Sequence, residues 1–155
     1  MTDINSSAAQ ADTVAAIEII EGLFFAYRDF VAEPDAILAE LGLGRAHHRA
    51  LHFVHRNPGM TVTVLLDILQ ITKQSLARVL KTLIETGYID QQEGAEDRRQ
   101  RLLFTTEKGA ELANRLIAIQ SSRIEGALSS IPATHHPDVR SFLTALLNDK
   151  VRPEG

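Results

Sequence analysis

The stretch Ile71–Gly87, ITKQSLARVLKTLIETG, constrains this chain more than any other, because it reads as one helix with a sealed side and a basic, hydrogen-bonding side. Leu76, Val79, Leu80 and Leu83 recur at i, i+3, i+4 and i+7 and form a single apolar stripe. Lys73, Gln74, Ala77, Arg78 and Lys81 fall opposite, a small residue among long donors, which suits close approach to a large, flat, anionic partner such as double-stranded DNA. Thr72 is placed to cap the helix N-terminus, and Gly87 to stop it in the left-handed region.

The flanks extend this pattern. Upstream, Val62, Leu65, Leu66 and Leu69 lie at helical spacing, and only Gln70 and Ile71 separate that run from Thr72. Two helices joined so tightly must cross steeply, as in a helix-turn-helix. Downstream, YIDQQ and QRLLFT read as short strands around the charged turn EGAEDRR, where Gly94 is expected to take a positive φ. The order is helix, turn, helix, hairpin.

These residues resemble the MarR family of winged helix-turn-helix transcription regulators, most clearly from about Arg45 to Leu116. ITKQSLARVLKTLIETGYI is similar to the family's recognition helix and first wing strand, and DRRQRLLFTTEKG to its wing motif of Asp-x-Arg followed by Thr-x-x-Gly. The resemblance implies that Asp97 braces the wing, that Arg98 and Arg99 reach the minor groove or phosphates, and that Thr106 with Gly109 opens the next helix. Two positions depart from the pattern. Gln70 stands where the turn commonly holds Gly, and Thr105 where the strand commonly ends in Leu. Whether Leu103 or the pair Leu102/Phe104 faces inward is left open.

The net charge of −4 is unevenly spread. Arg45 to Arg101 holds nine Lys/Arg against six Asp/Glu, and the remainder seven against fourteen, so the basic surplus sits in the DNA-binding half. With no Cys there is no disulfide, thiolate metal site or thiol-based peroxide sensor of the kind some members of the resembled family use. The polar start MTDINSSAAQADT lacks a basic n-region and an apolar h-region, and no long apolar run follows. A cytoplasmic location without membrane contact is expected.

Residues 1–11 are expected to be disordered, followed by an N-terminal dimerisation helix and connector over 12–43, a winged helix-turn-helix lobe over 44–105 and C-terminal dimerisation helices over 106–152. In the first helix Ile17, Ile20, Phe24, Tyr27 and Val31 form one stripe, and Ile19, Leu23 and Phe30, with Phe25 nearby, a second. A helix apolar on more than one face suits packing against both its own domain and a second subunit. Glu33-Pro34 is expected to end it, with a separate short turn over Asp35–Leu41. Arg45–Arg56 should back the helix-turn-helix, with Ala46, Ala50, Phe53 and Val54 inward and Asn57-Pro58-Gly59 as its end. From Thr106 to about Ile131 a long helix carries Leu112, Leu116 and Ile119 on one stripe and Ala113, Ile117, Ile124, Leu128 and Ile131 on another; a close crossing is expected at Gly126. After Pro132, a last helix opens near Pro137 and carries Val139, Phe142, Leu143, Leu146 and Leu147.

A two-fold dimer would present two recognition helices to successive major grooves, about 34 Å apart, and so read a palindrome. Gln74 suits adenine, Arg78 or Lys73 suits guanine, and Thr72 and Ser75 suit phosphates, with Lys81 on the same face and Arg98, Arg99 and Arg101 adding salt-dependent wing contacts. The resemblance further implies a pocket for a small aromatic or phenolic effector, with Phe24, Tyr27, Arg28, His48 and His52 as its candidates; ordinary interface packing is the competing account of those five. His48, His52 and His55 share a helix face, but no acidic residue joins them and HFVH lacks the Glu of a zinc-protease helix, so neither metal nor cofactor is expected. No convergent nucleophile, acid and base argue for an enzyme. A winged-helix protein-interaction module without sequence-specific DNA binding is the alternative.

Overall fold

Residues 3–148 are described in the computed structural model, with side chains from residue 6 onward. Their elements follow in the order α1 (Asp3–Glu40), α2 (Arg45–Arg56), β1 (Met60–Thr61), α3 (Val62–Leu69), α4 (Lys73–Glu85), β2 (Ile89–Glu93), β3 (Arg101–Thr105), α5 (Glu107–Leu128) and α6 (His136–Leu146), with a 3-10 turn at Ala133–His135. The fold is mainly α with a small antiparallel sheet of order β1-β3-β2, a winged helix-turn-helix.

The stripe of α4 is buried as its spacing requires: Leu76, Val79, Leu80 and Leu83 are 1, 7, 5 and 0% exposed. They meet Leu51 and Val54 of α2, Leu65 and Leu69 of α3, Ile89 and Leu103 of the sheet and Leu112 and Leu116 of α5 in one core. Full burial of each such side chain stabilises the fold by about 1.5–3 kcal/mol. Gly87 stops α4 at φ +82, and the amide of Tyr88 reaches back to the Leu83 carbonyl at 2.8 Å, closing a Schellman motif. Across the wing, Gln91 pairs with Leu103 and Glu93 with Arg101. Leu103 is the inward residue of β3, at 0% exposure, while Leu102 and Phe104 are half-buried.

Several expectations are corrected. Asp3 opens α1, so residues 3–11 are helical rather than disordered. Ala8, Ala9 and Ala11 are strong helix formers and only have to propagate an existing helix, which avoids the cost of nucleation. Pro34 lies inside α1 instead of ending it. A proline in a helix interior costs about 3 kcal/mol, but the continuous helix buries Pro34 itself and carries Leu38 into the core at 0% exposure. The strand β1 was not expected; it is only two residues long, and its Thr61 also caps α3 by accepting from the Val64 amide. Gly94 has no positive φ; it is needed because a Cβ there would stand 2.6 Å from the Asp97 carbonyl oxygen. At Gly126 a Cβ would meet nothing within 4 Å, so no crossing among the described residues accounts for it. Residues 1–2 and 149–152 of the expected segments lie outside the described residues.

The first half of α5 enters the core through Leu112, Ala113 and Leu116, whereas Ile124 in its second half is 49% exposed. At the corner that follows, His136 Nε2 donates to the carbonyls of Leu128 and Ile131, at 2.8 and 2.9 Å. No residue of α6 is buried, and Phe142, Leu143 and Leu146 are 41, 51 and 55% exposed.

Candidate nucleic-acid interface

The outer side of α4 begins at a capped N-terminus. Thr72 Oγ1 accepts from the Ser75 amide at 3.1 Å and donates to Ser75 Oγ at 2.9 Å, so both hydroxyls belong to the first turn. The orphan amides and positive dipole end of such a turn favour an anion. Beyond it Lys73, Gln74 and Arg78 are exposed, and among the described residues their side chains make no hydrogen bond or ion pair. Lys81 lies 4.0 Å from Glu85, a solvated pair that contributes little and leaves the ammonium free to exchange partners. All four long side chains therefore project from a helix whose opposite side is locked in the core.

In the wing, Asp97 Oδ1 accepts from the Arg99 amide at 2.9 Å, and the Gly94 amide donates to the Gln100 carbonyl at 3.0 Å. These bonds fix the turn between β2 and β3 and leave the side chains of Arg98 and Arg99 exposed. Arg101 is different. Its guanidinium lies 3.8 Å from Glu93, its partner in the strand register, so part of its charge is already answered.

The five effector candidates lie on two helices, α1 and α2. Phe24 and Tyr27 are 71 and 56% exposed on α1. Arg28 is paired with Asp29 at 2.9 Å and lies over Phe25, 5.0 Å from the ring centre. His48 and His52 are half-buried on α2. Burial pushes both imidazoles below the usual value, with His52 adding to the shift of His48, and Arg56 and His55 to that of His52. His52 lines a groove of about 280 Å³ with Ile117, Gln120, Ser121, Ile124 and Glu125 of α5. The α5 residues were missed in the sequence, although the polar run Gln120-Ser121-Ser122 interrupts an otherwise apolar stripe and is the signal that could have located them. His55 is held by Asn114 at 2.9 Å, and among the described residues no group of three His, Asp or Glu could hold a metal ion.

Residues 41–100 match the model of the MarR family. The chain is also 46% identical over 133 residues to the helix-turn-helix transcriptional regulator PetP of Rhodobacter capsulatus, covering 86% of this chain and 80% of that protein. This chain belongs to the MarR family of transcription regulators. Solved structures of similar fold include Streptococcus pneumoniae FabT in complex with DNA, with a TM-score of 0.75, 18% identity, and 84 and 94% of the two chains covered. Another is NadR in complex with 4-hydroxyphenylacetate, with a TM-score of 0.69, 19% identity, and 83 and 91% covered. In this MarR-family chain no helix among the described residues is long and apolar enough to cross a membrane.

Proposed function

We propose that the protein is a homodimer that binds a palindromic DNA operator in a sequence-specific manner, through residues 44–105, and that a small aromatic or phenolic ligand modulates this binding. The observation that carries the reading is the outer side of α4, where Lys73, Gln74 and Arg78 stand exposed without internal partners on a helix anchored by four buried residues. Gln74 pairs with adenine and Arg78 or Lys73 with guanine, each good pair being worth about 1–3 kcal/mol of discrimination. Lys81, Thr72, Ser75, Arg98 and Arg99 take phosphate or minor-groove contacts, and Arg101 contributes when released from Glu93. That FabT, of similar fold, is solved in complex with DNA supports a DNA-binding role for this fold.

Within the described residues, 12–43 and 106–148 supply the dimerisation platform. Ile17, Ile20, Leu23 and Phe24 of α1 and Leu143 and Leu146 of α6 are all at least 42% exposed within one chain, and large apolar side chains left wet on the terminal helices suit a second subunit. The effector site is the groove beside His52, whose lining joins the apolar Ile117 and Ile124 to the polar Gln120, Ser121 and Glu125. Binding of 4-hydroxyphenylacetate by NadR supports a ligand of this chemistry.

Selection of bound sequences from random duplex DNA, followed by affinity of Gln74→Ala and Arg78→Ala variants at two salt concentrations, tests the reading. The expected result is a two-fold symmetric consensus and loss of preference at the bases these residues read. Uniform binding to all duplexes, or none at moderate salt, would favour a protein-interaction module instead.

A further inference from the structure

Helix α4 ends awkwardly by its own sequence. Its last turn holds no basic residue and closes on Glu85, so the negative end of the helix dipole faces an acidic side chain. The missing cation comes from another element. Lys108, in the first turn of α5, places Nζ 2.7 Å from the Thr86 carbonyl and 4.3 Å from the centre of the Tyr88 ring. The next two carbonyls are taken by the same turn of α5: Thr106 Oγ1 donates to Gly87, and the Thr106 amide donates to Tyr88 at 3.1 Å. Gly109, whose amide donates to Thr106 Oγ1, lets the backbone come this close. Three successive carbonyls leaving α4 are thus received by residues 106–108.

We propose that Lys108, with Thr106, is a positioning residue that clamps the end of the recognition helix to α5, so that the two helices move as one body and the outer side of α4 is held at the angle the duplex requires. The inference rests on the reading of α4 as the DNA-contacting helix. Lys108 is the separable part of the clamp, because Thr106 also caps α5 whereas the Lys108 ammonium acts only on α4 and the Tyr88 ring. Through α5, which runs from the core out to the exposed Ile124, the clamp ties the recognition helix to the surface offered to a second subunit.

The test compares wild type, Lys108→Met and Lys108→Arg on a duplex selected by the wild type and on a random-sequence duplex of equal length, over a range of salt, together with amide exchange at Gly87 and Tyr88 without DNA. Expected for Lys108→Met is roughly five- to tenfold weaker binding to the selected duplex, little change on the random one, an unchanged salt slope and faster exchange at both amides, with Lys108→Arg restoring affinity. A slope reduced by about one with equal loss on both duplexes would make Lys108 a phosphate contact and overturn the proposal. So would unaltered affinity and exchange. If the wild type selects no duplex, the DNA reading fails by itself, and the exchange of the Lys108→Met protein still decides whether the clamp exists.

Discussion

Gly109 lies so close beneath Tyr88 that a Cβ on it would stand 1.9 Å from the Tyr88 carbonyl oxygen. The obstacle is backbone, which cannot swing aside as a side chain end can. Gly109→Ala is therefore expected to lose about 3 kcal/mol or more, because the strand start and the first turn of α5 must separate. Urea denaturation measures this, and a midpoint equal to that of the wild type would refute it.

Gln70 bears the opposite kind of strain. It sits at φ +52 between α3 and α4, the single non-glycine residue with positive φ among those described, and its amide side chain donates to the Asp67 carbonyl at 2.6 Å. Holding an L-residue there costs about 1–2 kcal/mol, which glycine would relieve, although its larger unfolded-state freedom offsets part of that gain. Gln70→Gly is expected to raise stability by up to about 1 kcal/mol and Gln70→Val to lower it. Thermal melts of the two variants in opposite directions are the signature.

Acid should weaken α2 before the rest of the lobe. Burial holds His47 and His48 below their usual values, and His52 with them. Arg56 and His55 push His52 down further, and Asp35 partly opposes the shift at His48. His47 Nδ1 also accepts the Gly44 amide at 3.0 Å, which only the unprotonated nitrogen can do. A folded value below the unfolded one, about 6.5, means the unfolded chain takes up protons first. The stability these groups contribute is present above about pH 6.5 and is lost as pH falls through the lower folded values. Denaturation midpoints between pH 7.5 and 5 should fall, and His47→Gln, whose side chain oxygen can replace Nδ1, should flatten part of that fall. An equal pH profile in the variant would remove His47 from the account.

On α6, Leu143 and Leu146 are 51 and 55% exposed among the described residues. Replacing both by Asp should leave the folded lobe intact, since neither touches its core, but convert the proposed homodimer to monomers in sedimentation. DNA affinity should then drop by at least two orders of magnitude, because half-sites bound singly lose the effective-concentration advantage. A double variant that still sediments as a dimer would place the interface elsewhere.

Features written in short-range chemistry were legible. The stripe of α4, the Thr72 cap, the Gly87 stop, the extent of α2 and the hairpin around Asp97 each depend on residues within a few positions of one another. The exposed basic side of α4 followed directly, since burying Leu76, Val79, Leu80 and Leu83 leaves Lys73, Gln74 and Arg78 nowhere else to point. The effector candidates Phe24, Tyr27 and Arg28 were chosen for chemistry, whereas the groove that His52 shares with α5 is made by residues some 65–73 positions further along the chain and needed the tertiary structure to be seen.

What the sequence determined by itself is the set of helices, their inward sides and the caps between them, because periodicity and local hydrogen bonds are set by the order of residues alone. Tertiary structure decided that Pro34 stays inside α1 and that Leu103 rather than Leu102 faces in. It also made a strand of Met60–Thr61 and supplied the cation at the end of α4 from Lys108. Each of these is fixed by a contact between residues far apart along the chain, whose free energy exceeds the local preference it overrides.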